Sequence, residues 1–537
     1  MSNRQKEVGC MGRFVNPDNS AFQVILNSDI YVDKTELLAY TNKALNTDRA
    51  MICNSRPRRF GKSITANMLT AYYSRGCDSD AMFADLAISK TESYKKHLNK
   101  YDVIHLDIQW CSMDAGSTKQ TVTYINTNVI RELKEMYPDY IPDSVTTVYG
   151  ALSYINSCSG KNFIVIIDEW DVLIRDESSD LVVQEEYINF LRGMFKGNEP
   201  TKFLHLAFLT GILPIKKVKT QSALNNFDEF TMLDAKVFAP YIGFTENEVR
   251  KLCVEYNKDF SEVKRWYDGY LLSGTQIYNP KAVVSVMTWG DFQSYWSKTG
   301  TYESIVPLIN MNFDGLKTAM IDMVAGSPVK VKTATYQNDM VTFKNKDDIL
   351  TLLIHLGYVA YDSVNRTAFV PNEEIRQELI DAVEDRQWNE FTELQLKSEE
   401  LLRATWDADC ETVAQMIEYF HSEYTSAITY NNENSLSSVL SIAYLGALQY
   451  YFKPIREMPT GRGFADLVFI PKKEFPDVPA MILELKWNQA AETALRQIKE
   501  KKYDSILDSY HGNVLLVRIN YDKKSKSHDC IIEQLVK

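Results

Sequence analysis

The 537-residue chain lacks long apolar runs, paired cysteines and clustered histidines, and each lack removes a class of function. No apolar stretch approaches the ~18 residues that a membrane-crossing helix needs; the longest lie near 163–167. The first twenty residues, MSNRQKEVGCMGRFVNPDNS, contain no signal-like apolar core, so a cytoplasmic setting is expected. Eight cysteines, at 10, 53, 77, 111, 158, 253, 410 and 530, form no CxxC pair. That argues against a disulfide framework and a structural zinc site, and for a reducing compartment. The seven histidines are equally dispersed, so no zinc-hydrolase pattern exists. Basic charge is also scarce, with 59 Lys and Arg against 71 Asp and Glu, a net of −12. A whole-molecule basic footprint for nucleic acid is therefore absent. From Ser441 to Lys537 the balance reverses to 15 against 12, a net of +3 that leaves −15 for the preceding residues.

Hydrophobic residues at 45% and charged residues at 24% are ordinary globular usage, which excludes a largely disordered chain. The length suits about three domains of roughly 150 residues. Before residue 242, four short apolar runs alternate with amphipathic stretches: AMICNS (50–55), VIHLDI (103–108), FIVIID (163–168) and FLHLAFLTG (203–211). Runs of this kind predict a parallel sheet with helices on both faces. The region 243–405 reads as mainly helical, opening on GFTENEV with Thr245 as N-cap and Glu248 completing a capping box. A third texture spans 406–537: helices, strands at 463–470 and 479–487, a helix at 489–502 and a strand at 513–519. The expected fold class is α/β. A P-loop parallel-sheet domain at 10–242 and a helical middle or lid region at 243–405 precede a C-terminal α/β domain at 406–537.

Two constellations carry chemistry. After AMICNS comes RPRRFGKS (56–63) and a helix-forming stretch. A loop between strand and helix presents backbone N–H groups and a positive helix end to phosphates. Lys62 would reach the β- and γ-phosphates and the Ser63 hydroxyl would ligate Mg²⁺, with Arg59 and Gly61 in the same loop and Arg56 at the usual first-glycine position. The run FIVIIDEWD ends a later strand with Asp168, a candidate Mg²⁺ ligand, and Glu169, a candidate to orient or deprotonate water. Thr210, near the end of the next strand, is placed to sense the γ-phosphate. IIDEWD alone reads as a strand ending in a solvated turn; with GKS after another strand it reads as a nucleotide site. In the C-terminal region, Asp466 precedes Glu484 and Lys486, which lie two apart on one strand face opposite Met481, Leu483 and Leu485. A charged pair inside an apolar strand is unfavourable unless a cleft or ion compensates. Two carboxylates with the Leu485 carbonyl make an oxygen-rich Mg²⁺ site, and Lys486 would activate or position water.

The ordered series YVDKT (31–35), RPRRFGKS, IIDEWD, FLTG (208–211), GFTENEV (243–249), WYDGY (266–270) and IYNP (277–280) resembles the prokaryotic AAA-ATPase-like family over about residues 10–290. Its members carry RPRRFGK in place of a glycine-first P-loop. The resemblance implies ATP binding with Lys62, Ser63, Asp168 and Glu169 in the roles above. It assigns no chemistry to Asp33 and Lys34, and WYDGY and IYNP read better as packing than as a ligand site. The pattern Asp466, Glu484, Lys486 resembles the PD-(D/E)XK nuclease superfamily over about 415–520. That similarity makes these three catalytic, with Gln497 and Tyr503 supporting and Glu433 an upstream carboxylate. Arg462, Lys499, Lys501 and Lys502 flank the core and are candidates for phosphate contact. The expected function is an ATP-binding, ATP-hydrolysing protein with a Mg²⁺-dependent nuclease domain acting on DNA or RNA. The alternative is an ATP-dependent regulatory or binding protein whose nuclease-like domain does not cleave. An arginine finger from a neighbouring subunit would imply a homo-oligomer, but no residue in the sequence identifies one.

Overall fold

The computed structural model describes residues 12–175, 180–215, 224–296, 307–309, 311, 313–338, 343–384, 389–424, 433–460, 463–487, 512–522, 524–525 and 527–535. The chain divides into two compact units: 1–263 with 268–292 and 331–366, and 264–267 with 293–330 and 367–537.

The first unit is built on a five-stranded sheet of order β2-β3-β4-β1-β5, with β1 Met51–Ser55, β2 Asp102–Asp107, β3 Phe163–Asp168, β4 Leu204–Gly211 and β5 Asp228–Phe230. Every pairing in it is parallel. Every residue of β1 and β3 is buried, as expected of strands covered on both faces. The four apolar runs thus become strands within a residue or so of their expected ends. β5 has only three residues, Asp228-Glu229-Phe230, too short and too acidic to carry a periodic signal.

Because all strands point one way, the C-terminal ends of β1, β3 and β4 open at one edge. Helix α1, Lys62–Tyr73, starts there directly after the loop that leaves β1. Its N-cap, Gly61, sits at φ 92 with nothing within 4 Å of an added Cβ. The glycine is therefore required by backbone conformation and not by crowding. Helix α2, Val172–Arg175, follows β3.

The segment 243–405, expected as a separate helical middle region, is divided between the two units. Its first part adds to the first unit an antiparallel sheet of order β6-β8-β7, from β6 Phe244–Thr245, β7 Tyr270–Leu272 and β8 Thr275–Tyr278. Tyr270 of WYDGY stands opposite Ile277 of IYNP in these strands and Tyr278 opposite Phe244, whereas Trp266 and Tyr267 end the helix Phe260–Tyr267. Helix α3, Glu246–Glu255, carries the expected capping box, with both Thr245 and Glu248 bonds made. Helix α4, Pro280–Trp289, is capped by Asn279, whose side chain accepts from the Lys281 and Ala282 N–H groups.

The second unit contains helices α5 Cys410–Tyr424 and α6 Glu433–Ala443 and a five-stranded sheet of order β9-β10-β11-β12-β13. Its strands are β9 Ile455–Thr460, β10 Gly463–Phe469, β11 Ala480–Trp487, β12 Val514–Asp522 and β13 Ser527–Leu535. Only β11 and β12 pair in parallel. The helix expected at 489–502 falls outside the described residues. On β11, Met481, Leu483 and Leu485 are buried, and Ala480 and Ile482 pack with Val468, Val514 and Leu516 on the opposite face. The Glu484 side of the sheet is thus apolar at one end and polar at the other.

Candidate functional site

At the open edge of the first sheet lies a cavity of about 1140 Å³. Gly61, Lys62, Ser63, Glu169 and Arg175 line its polar end, with Arg58 and Arg59 from the loop; Ile25, Tyr31, Val32, Tyr241, Phe244 and Pro280 supply apolar wall. Arg59 is at φ 69 and Glu169 at φ 48, left-handed conformations that a non-glycine residue holds only where its surroundings fix it. Lys62 is buried, donating to the Pro57 carbonyl at 3.1 Å and standing 3.6 Å from Glu169 Oε1. Asp168 is 4% exposed, with the Ser63 hydroxyl near enough to favour its charged form. Burial pushes its carboxyl up to about 6; Ser63 and Lys62 oppose this and Glu169 reinforces it.

Lys62, Ser63, Asp168 and Glu169 therefore lie together. Asp168 lies buried behind the cavity lining, and two further predicted residues, Arg56 and Thr210, do not line it. Arg56 is fully buried, its Nη1 donating to the carbonyls of Ser55 at 2.9 Å and Phe230 at 3.3 Å. Its aliphatic stem and planar head let it anchor the loop to β5, where a glycine-first loop has no side chain to do so. Burial drives its pKa down to about 9. Thr210 is fully buried too, in register with Asn54 of β1. The Thr210 hydroxyl and both polar atoms of the Asn54 amide have no partner among the described residues.

The VDKT and GFTENEV motifs join each other. Lys34 Nζ donates to both carboxylate oxygens of Glu248, at 2.6 and 2.7 Å, and to the Pro240 carbonyl. Asp33 accepts from the Thr35 N–H and hydroxyl and from the Ala87 N–H. Lys34 itself lines the cavity. Tyr270 of WYDGY packs edge-on against Phe60 of the loop, 5.4 Å between ring centres.

In the second unit, β10 and β11 run antiparallel with Leu467 opposite Leu483. Asp466 is thereby set beside Glu484, and its Oδ2 accepts from the Leu485 N–H at 2.7 Å. Glu484 is 3% exposed. Across the parallel pairing, Arg518 stands in register with Glu484 and Asn520 with Lys486. Burial pushes Arg518 downward in pKa, and the charges of Glu484 and Asp529 oppose the shift. Asn520 Nδ2 donates to Asp529 Oδ1 at 2.9 Å. Gln497, Tyr503, Arg462, Lys499, Lys501 and Lys502 lie outside the described residues, as does the Glu433 side chain, although Glu433 opens α6.

Both donor sets fit a hard divalent ion. Ser63 and Asp168 offer oxygens at a site where burial disfavours the charged carboxylate and a cation would favour it, and Mg²⁺ characteristically takes few protein ligands and completes its shell with phosphate and water. Asp466 and Glu484 offer two carboxylates on neighbouring strands. Among the described residues, no group of three or more His, Cys, Asp or Glu is placed as a ready metal cage.

Residues 19–220 match the family of predicted AAA-ATPases named AAA-ATPase-like, and residues 431–529 match the PD-(D/E)XK nuclease superfamily. The chain carries an AAA-ATPase-like domain and a PD-(D/E)XK nuclease-superfamily domain. An uncharacterized protein in the vnfD 5′ region of Azotobacter chroococcum mcd 1 is 24% identical over 269 residues. The match covers 48% of this chain and 48% of that protein, so the chain spans about half the length of the curated relative it matches. Among solved structures, the replication initiator DnaA bound to AMPPCP and single-stranded DNA is 11% identical over 69% of this chain and 93% of that one, at a TM-score of 0.25. AMPPCP-bound DnaA from Aquifex aeolicus is 12% identical over 68% and 92%, at 0.22. Scores this low transfer neither site nor function. No helix among the described residues is long and apolar enough to cross a membrane.

Sequence reasoning missed Arg175 and Asp171 in the AAA-ATPase-like domain and Arg518, Asn520 and Asp529 in the nuclease-superfamily domain. Asp171 and Arg175 follow the IIDE motif at helical i,i+4 spacing, a signal open to inspection. Arg518 had no such signal, because only strand register brings it to Glu484.

Proposed function

We propose that the AAA-ATPase-like domain binds and hydrolyses ATP, and that the nuclease-superfamily domain cleaves phosphodiester bonds in DNA or RNA with Mg²⁺. The observation that carries this reading is the convergence of Lys62, Ser63, Asp168 and Glu169 at one edge of the parallel sheet, over a cavity polar at one end and apolar at the other. Lys62, already desolvated, would turn from the Pro57 carbonyl to the β- and γ-phosphates. Backbone N–H groups of the loop and the first turn of α1 would receive phosphate oxygens. Ser63 and Asp168 would hold Mg²⁺, which neutralises phosphate charge when bound. Glu169 would orient water and accept its proton. Tyr31, Val32, Tyr241 and Phe244 form a wall suited to a purine ring.

In the C-terminal domain, Asp466, Glu484 and the Leu485 carbonyl would hold the ion, and Lys486 would position the attacking water. A second reading, binding without cleavage, draws on Arg518, which lies beside Glu484 where a metal's charge is needed. Mg²⁺-dependent cleavage of labelled DNA and RNA by wild type and Glu484→Ala separates the two. The nuclease reading expects product from wild type and none from the variant. Equal product from both removes it, and retention of nucleic acid by wild type without product supports the second reading.

A further inference from the structure

Glu169 is held by more than the phosphate-binding lysine. Its carboxylate lies 3.6 Å from Lys62 Nζ and also accepts a hydrogen bond from Arg175 Nη2. Arg175 is itself fixed, its Nε donating to Asp171 Oδ2 at 2.9 Å. The same Asp171 oxygen accepts from the N–H groups of Ile212 at 3.1 Å and Leu213 at 2.8 Å, just past the end of β4. Asp171 is fully buried, while Arg175 is 12% exposed and faces the cavity. A continuous run of bonds thus connects the end of β4 through Asp171 and Arg175 to Glu169. Burial disfavours the charged guanidinium, but Asp171 and Glu169 outweigh burial and push its pKa up. Glu169 needs this support, since its φ of 48 persists only where neighbours enforce it.

The two cations on Glu169 differ in what they can do. Lys62 is a compact point charge on a flexible stem, free to move onto phosphate oxygens. Arg175 is a planar fork already engaged on both arms, so it stays when the lysine leaves. We propose that Arg175 is a positioning residue of the nucleotide site, keeping the Glu169 carboxylate in place through Asp171 once nucleotide phosphates draw Lys62 away. This inference rests on the ATP-hydrolysis reading above. Arg175 acts through Glu169, so its removal harms turnover and leaves nucleotide binding nearly intact.

The test uses the full chain and measures ATP turnover together with binding of a fluorescent nonhydrolysable ATP analogue. The proteins are wild type, Lys62→Ala, Arg175→Ala, Arg175→Lys, Glu169→Gln and the Glu169→Gln/Arg175→Ala double variant. Arg175→Ala is expected to lose on the order of 10- to 100-fold in kcat, the scale of a misplaced catalytic group, while its analogue Kd stays within about threefold. Arg175→Lys recovers part of the loss, and Arg175→Ala adds nothing once Glu169 is Gln. Full turnover in Arg175→Ala, a Kd that weakens as much as kcat falls, no recovery by Lys, or an undiminished loss in the Glu169→Gln background overturns the inference. Should Arg175→Ala fail to fold, Arg175→Gln carries the same expectations. Wild-type phosphate release that disappears in Lys62→Ala sustains the ATP reading whatever Arg175 does. Absence of release from wild type overturns that reading and this inference together.

Discussion

The two sheets arrange the carboxylates of their candidate sites in different ways. In the AAA-ATPase-like domain the cations around Glu169 come from Lys62, at the start of α1, and Arg175, at the end of α2. Each sits inside a short stretch of sequence that also supplies the carboxylate or the loop. In the nuclease-superfamily domain the carboxylates come from adjacent antiparallel strands, and the neighbouring cation, Arg518, from the parallel strand β12. The first site joins two short motifs, RPRRFGKS and IIDEWD, each compact in sequence, and its lysine bonds a loop carbonyl beside Glu169. The second is set by register, and a one-residue slip would turn every one of its side chains to the other face. A local site announces itself as a motif; a register-built site announces only its carboxylates.

The largest effect that sharpens this contrast is at the lysine. Lys62→Ala should lower ATP turnover at least about 100-fold, the scale seen when one donor to a developing charge is removed. A phosphate-release assay showing less than a few-fold change would mean that the cavity is not the reacting site.

Next in size is a pH effect confined to the first site. Asp168 has its pKa raised from 3.8 to about 6, so its neutral form is favoured in the folded protein. That contribution to stability is fully present below about 4 and is lost as pH rises through about 6. Holding Mg²⁺ requires the ionised form. The affinity for Mg²⁺–nucleotide should therefore fall about tenfold per unit as pH drops from 6 toward 4, whereas Mg²⁺-free nucleotide loses less. Calorimetric titration at pH 5 and pH 7, with and without Mg²⁺, reads the difference. Equal losses in both arms would place the titrating group elsewhere.

The corresponding change in the second site goes the other way. Arg518→Ala removes a cation from beside Glu484, so divalent affinity there should rise, by up to about tenfold or roughly 1.4 kcal/mol. Mn²⁺ titration of the full chain carrying Asp168→Asn isolates that site. A fall in affinity would show that Arg518 supports the ion's ligands and does not compete with the ion.

The smallest effect concerns the ion pair between Lys34 and Glu248. Glu248→Ala removes half of a capping box and the partner of Lys34, a pair that is only partly buried. A loss of about 1–2 kcal/mol is expected, with a melting-temperature drop of roughly 2–4 °C per kcal/mol in the first unit. Scanning calorimetry measures it.

The pattern of what the sequence revealed follows the same contrast. β1, β3 and β4 were legible because strands buried on both faces are near-continuous apolar runs, and Lys62, Ser63, Asp168 and Glu169 because they sit at the ends of such runs. Thr245 and Glu248 were legible because a capping box spans only four residues. β9, reading IREMPT, and β13, reading SHDCIIEQL, were not, since edge strands mix polar residues and even proline without penalty. Arg56 was misplaced for a different reason. A motif gives a residue's position in the loop, but not that its side chain turns into the core toward Phe230.

The central claim is that one chain holds two separate sites for phosphate esters. The most direct test runs ATP turnover and Mg²⁺-dependent strand cleavage side by side on wild type, Lys62→Ala and Glu484→Ala. The account predicts both activities in wild type, loss of ATP turnover in Lys62→Ala, and loss of cleavage with ATP turnover retained in Glu484→Ala. Cleavage that survives Glu484→Ala, or ATP turnover that survives Lys62→Ala, would contradict it.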